Sequence, residues 1–171
     1  MIETSRLKLI PFEEAHFQAI MHKDFFELGE LLKVKTPNQW TTFPDMDDAL
    51  PFFYDNFILN GTTWGSFFTT HKTDSVLLGT CGFKGSPDTE GMVEIGYEIE
   101  KSYRNQGLAT EVAQGLIDYA YKSEDVKKVW AHTLASENPS VNVLRKLGFQ
   151  KIGNFHEPSD GDLWRWEILK S

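Results

Sequence analysis

The feature that most restricts the fold of this chain is a polar turn that leads directly into a helix, in the stretch YRNQGLATEV at residues 103–112. Gly107 ends the turn, and apolar residues follow at helical spacing, namely Val112, Ala113, Leu116, Ile117 and Ala120. Backbone N–H groups at a helix start lack partners, and the helix dipole adds about half a positive charge there. With Arg104 alongside, the turn predicts a diphosphate site. The alternative is an ordinary turn with a solvated arginine.

The rest of the chain alternates between two hydrophobic periods. Period-two alternation and β-branched or aromatic residues predict strands at residues 5–10, 62–71, 75–84, 91–100, 128–133, from 149 and at 163–169. The three strands from 62 to 100 are expected to be consecutive and antiparallel. Helices are predicted as two short segments after the first strand, at 45–59 with Pro51 in the first turn, after Gly107 and at 139–147. This order predicts a single α+β domain over residues 1–171 with a mixed sheet.

The composition and net charge of the chain argue against several classes of protein. A lone cysteine, Cys81, excludes an intramolecular disulfide framework and a multi-cysteine metal site, and it favours a cytoplasmic setting. The N-terminal residues lack the basic region and the long apolar region of an export signal, and no run reaches the ~20 apolar residues of a membrane span, so neither export nor membrane insertion is expected. A net charge of −8 argues against a protein that binds nucleic-acid phosphates.

Two familiar phosphate-binding motifs do not fit. The chain has no G-x-x-x-x-G-K-[ST] run, and Gly79, Gly82 and Gly85 are spaced wrongly for G-x-G-x-x-G. No helix is predicted directly after these glycines, which are more typical of a strand with a bulge. Nucleotide hydrolysis and dinucleotide redox chemistry are therefore disfavoured.

The turn itself resembles the pyrophosphate loop R/Q-x-x-G-x-G/A of the GNAT superfamily of N-acetyltransferases, in the residues RNQGLA at 104–109. Three longer stretches, IETSRLKLIPF, VEIGYEIEKSYRNQGLATE and NPSVNVLRKLGFQKIG, follow the order and spacing of that family. They are most similar to the branch of the ribosomal-protein N-terminal (RimJ/RimL-like), polyamine and antibiotic acetyltransferases. The resemblance implies one α+β domain with a mostly antiparallel sheet, helices on both faces and a V-shaped opening between two parallel strands for acetyl-CoA.

The resemblance also implies positions for the cofactor. The loop amides would hold the pyrophosphate, and the backbone at Ile99 would pair with the pantetheine arm, while Asn138 and Ser140 would lie beside the pantetheine and the sulfur. The loop residues are Arg104, Asn105, Gln106, Gly107, Leu108, Ala109 and Thr110. Two positions depart from the family, because Glu137 stands where many relatives have asparagine and Leu144 where many have a tyrosine general acid.

The chemistry must then come from other residues. Transfer of acetyl from a thioester to an amine needs a neutral amine and a proton source for the thiolate. Glu94 is the candidate base, and the alternative is that its side chain only pairs with a neighbouring strand. If Glu94 is not the base, Glu137 and Glu98 are the next candidates. Ser140 is the candidate acid or sulfur-orienting group, and the alternative is a helix cap. Cys81 is expected to be a small buried residue and not an acyl-carrying nucleophile.

The acceptor is predicted only as a class. It is a primary amine of a protein N-terminus, a polyamine or a small molecule, and nucleic acid and membrane partners are not expected. Aromatic residues expected near the acceptor groove, most of them in the core, are Trp40, Phe43, Phe52, Phe53 and Tyr54. The histidines lack metal-ligand spacing, so no metal is expected. The alternative function is a non-catalytic CoA-binding or sensing module, and both a monomer and a homodimer remain open.

Overall fold

An eight-stranded sheet organises the fold in the computed structural model, which describes residues 1–171. The strands are β1 Ile2–Glu3, β2 Leu7–Pro11, β3 Ser66–His71, β4 Val76–Phe83, β5 Met92–Tyr97, β6 Lys128–Leu134, β7 Gln150–Glu157 and β8 Gly161–Leu169. The helices are α1 Glu14–Met21, α2 Phe25–Leu32, α3 Met46–Asn60, α4 Leu108–Ala120 and α5 Pro139–Lys146. The strand order is β1-β2-β3-β4-β5-β6-β8-β7, in which β5 and β6 form the parallel pair. The predicted α+β architecture is confirmed.

Three details differ from the sequence-based expectation. The two-residue strand β1 was not predicted, because so short a segment carries no periodicity. Asp45 caps α3, so the helix begins at Met46 and Pro51 lies in its second turn, not its first. Strand β5 ends at Tyr97 and not near Glu100, and a 3-10 helix at Lys101–Tyr103 follows.

Residues of the sheet alternate between two faces, each with its own core. Val93 and Ile95 of β5 pack with Val112 and Leu116 of α4 in the larger core. The smaller core, under α1 to α3, contains Phe12, Phe17, Trp40, Phe53 and Phe68. Glu94, between Val93 and Ile95, therefore points to the face opposite α4.

A β-bulge lies where the glycine-rich segment pairs with β3. Thr69 pairs with Gly79 and Thr70 pairs with Leu77, which leaves Leu78 as the additional residue. Gly79 has a φ of +135°, and a Cβ there would approach Cγ of Glu98 to 3.1 Å. The interpretation as a bulged strand is confirmed for Gly79 and Gly82, whereas Gly85 lies beyond the end of β4.

The parallel strands β5 and β6 stay paired over only a short distance. Their register ends with Glu94 opposite Trp130. Beyond this point β5 remains bonded to β4 up to Tyr97, and β6 remains bonded to β8 up to Leu134. The strands thus separate into the V-shaped opening that the resemblance implies.

A carboxylate network ties α4 to the N-terminal strands. Glu111 accepts hydrogen bonds from Oγ1 of Thr4 at 2.6 Å and from the backbone N–H and Nε of Arg6, both at 2.7 Å. Burial alone would raise the pKa of Glu111, but these hydrogen bonds outweigh it and lower the pKa below its ordinary value of 4.5. The ionised carboxylate therefore stabilises the contact between α4 and the start of the chain.

Replacement of Glu111 tests this contact. Because the folded-state pKa is depressed, the carboxylate stabilises the fold above its ordinary pKa of 4.5, and this contribution is lost as the pH falls through the folded-state value. Glu111→Gln should lower the free energy of unfolding by about 1–2 kcal/mol at pH 7. The difference from the wild type should shrink in acid, measured by denaturant unfolding across pH. Glu124→Gln, at an exposed position, should show neither effect.

Candidate active site

The turn before α4 presents a run of free backbone donors. Gly107 is the N-cap of α4 and has left-handed backbone angles, φ 76° and ψ 7°, and Asn105 also has a positive φ of 61°. The N–H groups of residues 105–110 donate no hydrogen bond within the protein. Consecutive free N–H groups at a helix N-terminus form an anion site.

Two arginines hold this loop in place, Arg6 from the N-terminal strands and Arg104 from within the loop. Nη1 of Arg6 donates to the carbonyl of Gln106 at 2.9 Å, and Nε of Arg104 donates to the carbonyl of Ile99 at 2.9 Å. One nitrogen of Arg104 is thus used within the protein, while its charge remains beside the free N–H groups. Arg6 was not identified from the sequence, because its contact with the loop spans about a hundred positions of the chain.

The loop forms one wall of a cleft of about 740 Å³. Of the residues predicted to bind the cofactor, all but Gln106 line the cleft; they are Ile99, Arg104, Asn105, Gly107, Leu108, Ala109, Thr110, Asn138 and Ser140. Glu98 and Glu100 donate their N–H groups to β4, so the intervening Ile99 faces the opening. The structure therefore brings the predicted loop, strand and helix residues together around one cleft.

Asn138 and Ser140 differ in how their side chains are used. Asn138 is the N-cap of α5, since its Oδ1 accepts from the N–H of Val141 at 3.2 Å. Its Nδ2 donates to the carbonyls of Leu134 and Ser136. The alternative of Ser140 as the cap is wrong, because α5 begins at Pro139 and the capping position belongs to Asn138. The hydroxyl of Ser140 instead lies near that of Tyr97.

A second cavity, of about 660 Å³, lies on the opposite face of the sheet. It contains Glu94, whose side chain is 12% exposed. Nζ of Lys84 lies 2.6 Å from Oε1 of Glu94, at an angle that makes an ion pair without an aligned hydrogen bond. Nδ1 of His132 lies 3.4 Å from the same oxygen. Glu94 and Ser140 thus lie on opposite faces of the sheet, with the opening between β5 and β6 separating them.

The comparisons with known proteins agree with this geometry. A family model described as an acetyltransferase (GNAT) domain matches residues 6–150. The chain belongs to the GNAT acetyltransferase family. An uncharacterized N-acetyltransferase of Bacillus subtilis (strain 168), YjdG, is 33% identical over 151 residues, which cover 87% of this chain and 89% of the relative. The chain is thus an N-acetyltransferase.

Solved structures support the same fold. The acetyltransferase that modifies the N-terminal serine of ribosomal protein L7/L12 in Salmonella typhimurium matches with a TM-score of 0.69 and 15% identity, covering 98% of this chain and 97% of that one. The microcin C7 self-immunity acetyltransferase MccE, solved with acetyl-CoA and AMP, also gives a TM-score of 0.69 at 15% identity, covering 98% and 94%. At these identities the likeness shows the GNAT fold.

The other carboxylates considered as bases in this GNAT domain are engaged elsewhere. Glu98 accepts hydrogen bonds from Thr41, Thr42 and Thr80, and so holds the loop before α3 against β4. Glu137 forms a two-point contact with Arg145 at 2.7 and 2.8 Å, and this hydrogen bonding lowers the pKa of Glu137. Of the three carboxylates considered as bases, Glu94 is the one that lines the second cavity, which Glu157 and Asp160 also line.

Cys81 lies in the core of this GNAT domain, as predicted. It is 5% exposed, and burial raises the pKa of its thiol to about 12. The thiolate that covalent catalysis requires is therefore disfavoured.

The predicted acceptor-side aromatics divide into two groups. Trp40 and Phe53 are buried in the smaller core, whereas Phe43 and Phe52 are about half exposed. The two exposed rings line a cavity of about 90 Å³ that also contains Gly96. Tyr54 packs against the smaller core as well, so three of the five aromatics belong to the core, as expected, and Phe43 and Phe52 are the two that face a cavity.

Three further residues of the site carried no sequence signal as site residues. Lys84 and His132 meet Glu94 only through the register of β4, β5 and β6, and Tyr97 is one apolar-patterned position among several in β5.

No helix combines the length and apolar character that a membrane crossing needs. No group of three or more His, Cys, Asp or Glu side chains is arranged to hold a metal ion.

A substitution at Gly107 tests the loop. The left-handed angles of Gly107 mean that Gly107→Val strains the backbone by about 1–3 kcal/mol and also places a branched side chain among the free N–H groups. We expect CoA affinity, measured by calorimetry, to fall by about tenfold or more. Arg104→Ala should do less, because the N–H groups remain.

Gly161→Val is the matched control for strain. Gly161 has a φ of 78°, close to that of Gly107, and lies outside the cleft. The two valine variants should lose similar stability, but CoA affinity should fall only for Gly107→Val. Unchanged CoA affinity in folded Gly107→Val protein would rule out this loop as the pyrophosphate site.

Proposed function

We propose that this N-acetyltransferase moves the acetyl group of acetyl-CoA directly to a primary amine within a ternary complex. The observation that carries the proposal is the opening between β5 and β6. On one face it meets the cleft with the free N–H groups of residues 105–110, and on the other it meets the cavity with Glu94. A donor bound on one face and an acceptor on the other can meet through this opening.

The donor side fits acetyl-CoA, which supplies an activated acetyl thioester. The N–H groups of residues 105–110 and the charge of Arg104 suit a pyrophosphate. The N–H of Ile99 makes no hydrogen bond within the protein, so the strand edge beside it can pair with the amides of a pantetheine arm. Ser140, in the first turn of α5, lies where the arm would end.

The acceptor side fits an amine. Glu94 is placed to take the proton that the amine loses on attack, and Lys84 and His132 hold its carboxylate in the cavity. The exposed rings of Phe43 and Phe52 border the same face. The acceptor class stays as the sequence predicts, a protein N-terminus, a polyamine or an amino-bearing small molecule, in a cytoplasmic protein that is a monomer or homodimer.

Turnover separates this proposal from a non-catalytic CoA-binding module. The purified protein is incubated with acetyl-CoA and a panel of N-terminal peptides, polyamines and small amines, and released CoA is measured with a thiol reagent. Amine-dependent release of CoA supports the enzyme. Tight CoA binding with no release for any amine in the panel favours the binding module.

The role of Glu94 is tested by Glu94→Gln, which keeps the size of the side chain but removes the base. We expect kcat to fall by roughly 10²–10⁴-fold with little change in CoA affinity. The defect should shrink as the pH rises, because more of the amine is then neutral without help. The measurement is kcat against pH for both proteins, together with their melting temperatures.

Lys84→Gln is the matched control, since it breaks the same ion pair and leaves the carboxylate in place. If Glu94 acts only as the partner of Lys84, the two variants should show the same kcat profile and the same loss of stability. A pH-dependent defect confined to Glu94→Gln supports the base. A wild-type profile in Glu94→Gln would leave deprotonation to bulk water or to another carboxylate of the cavity, Glu157 or Asp160, because Glu98 and Glu137 are engaged elsewhere.

A further inference from the structure

Tyr97 lies where β5 has separated from β6 but is still paired with β4. It is the last residue of β5 and comes after the final pair with β6, at Glu94. Its side chain shares the face of Val93 and Ile95, on which α4 and α5 pack. It lines the cofactor cleft together with Ser140. The tyrosine therefore lies between the strand edge and the first turn of α5.

The hydroxyl of Tyr97 is buried without a hydrogen-bond partner in the protein. Ser140 is close to it, but the two hydroxyls are not aligned as a hydrogen bond. By contrast, the hydroxyl of Tyr121 donates to the carbonyl of Ile168 at 2.9 Å. An unpaired buried hydroxyl destabilises a fold, and this one lines a ligand cleft, where a bound ligand can supply the missing partner.

The environment keeps this hydroxyl protonated. Burial raises the pKa of Tyr97 well above its usual value, and the nearby Ser140 offsets this only in part. The phenol is thus a hydrogen-bond donor throughout the range in which an enzyme works. Leu144, the position at which many family members carry a tyrosine acid, is fully buried among apolar side chains and offers no donor.

We propose that Tyr97 is a catalytic hydrogen-bond donor to the sulfur of acetyl-CoA, where it stabilises the negative charge that develops as the acetyl group departs. The proposal rests on the proposed acetyl transfer. A nitrogen–carbon bond forms, the carbon–sulfur bond breaks, and its electron pair passes to sulfur. Tyr97 keeps its own proton. The amine proton passes through Glu94 to solvent, and the thiolate takes a proton from solvent, so the step balances.

Tyr97→Phe removes only the hydroxyl. We expect kcat to fall by about 10²-fold, the typical effect of losing one donor to a developing negative charge. The melting temperature should be unchanged or higher, because an unpaired buried hydroxyl is removed. Tyr121→Phe is the control, since it removes a paired hydroxyl outside the cleft and should lower the melting temperature while kcat is retained. A lower melting temperature with normal kcat in Tyr97→Phe would overturn the proposal.

A second measurement does not depend on turnover. The ultraviolet absorbance of the thiolate is followed against pH for CoA bound to each protein, with the desulfo-CoA complex as the baseline. Bound CoA should ionise at a lower pH in the wild type than free in solution, and this shift should be smaller in Tyr97→Phe. Absence of the shift in the wild type overturns the role of Tyr97, even if Tyr97→Phe does not fold. Failure of the wild type to bind CoA would instead contradict the proposed function.

Discussion

The separation of β5 from β6 is the constraint on which the rest of the site depends. Buried backbone N–H and C=O groups are costly when unpaired, so two strands can part inside a sheet only if their outer edges stay bonded. Here β4 holds β5, and β8 holds β6 along its whole length. The cost is confined to the groups that face the opening, and Ile99 is one of them.

The opening alone would not select a ligand, and the loop before α4 adds that selection. The position of the loop is set from a distance, because Arg6 bonds both to Gln106 in the loop and to Glu111 in the helix. The first residues of the chain thus hold the loop and the start of α4 together, and the bond from Arg104 to the carbonyl of Ile99 ties the same loop to the chain that follows β5. This linkage couples the stability of the N-terminal strands to the geometry of the anion site.

Structural features that depend on a local pattern of residues were predicted correctly from the sequence. Contacts between side chains that depend on the register of paired strands were not. Strand and helix periods, the glycine turn at Gly107 and the bulge near Gly79 are local, and the structure agrees with them. The contact of Glu94 with His132 arises only when two parallel strands pair in one register, which no periodicity specifies. The alternative role of Ser140 as a helix cap failed for a different reason, since serine and asparagine both favour a cap and the helix begins at Pro139, which gives the capping position to Asn138.

The polar groups of this domain fall into two sets, those that have hydrogen-bond partners within the protein and those that do not. Glu98, Glu111 and Glu137 each accept hydrogen bonds from several protein donors, and each holds a loop or a helix in place. The groups without aligned partners include the N–H groups of residues 105–110, the hydroxyl of Tyr97 and Oε1 of Glu94. Oγ1 of Thr69 and Nε of Arg165 are also without aligned partners, and neither residue lines the two cavities. The loop N–H groups, Tyr97 and Glu94 lie at the cavities on the two sides of one opening. A ligand bound there can supply the partners that these groups lack, and so recover the stability that the fold gives up at these positions.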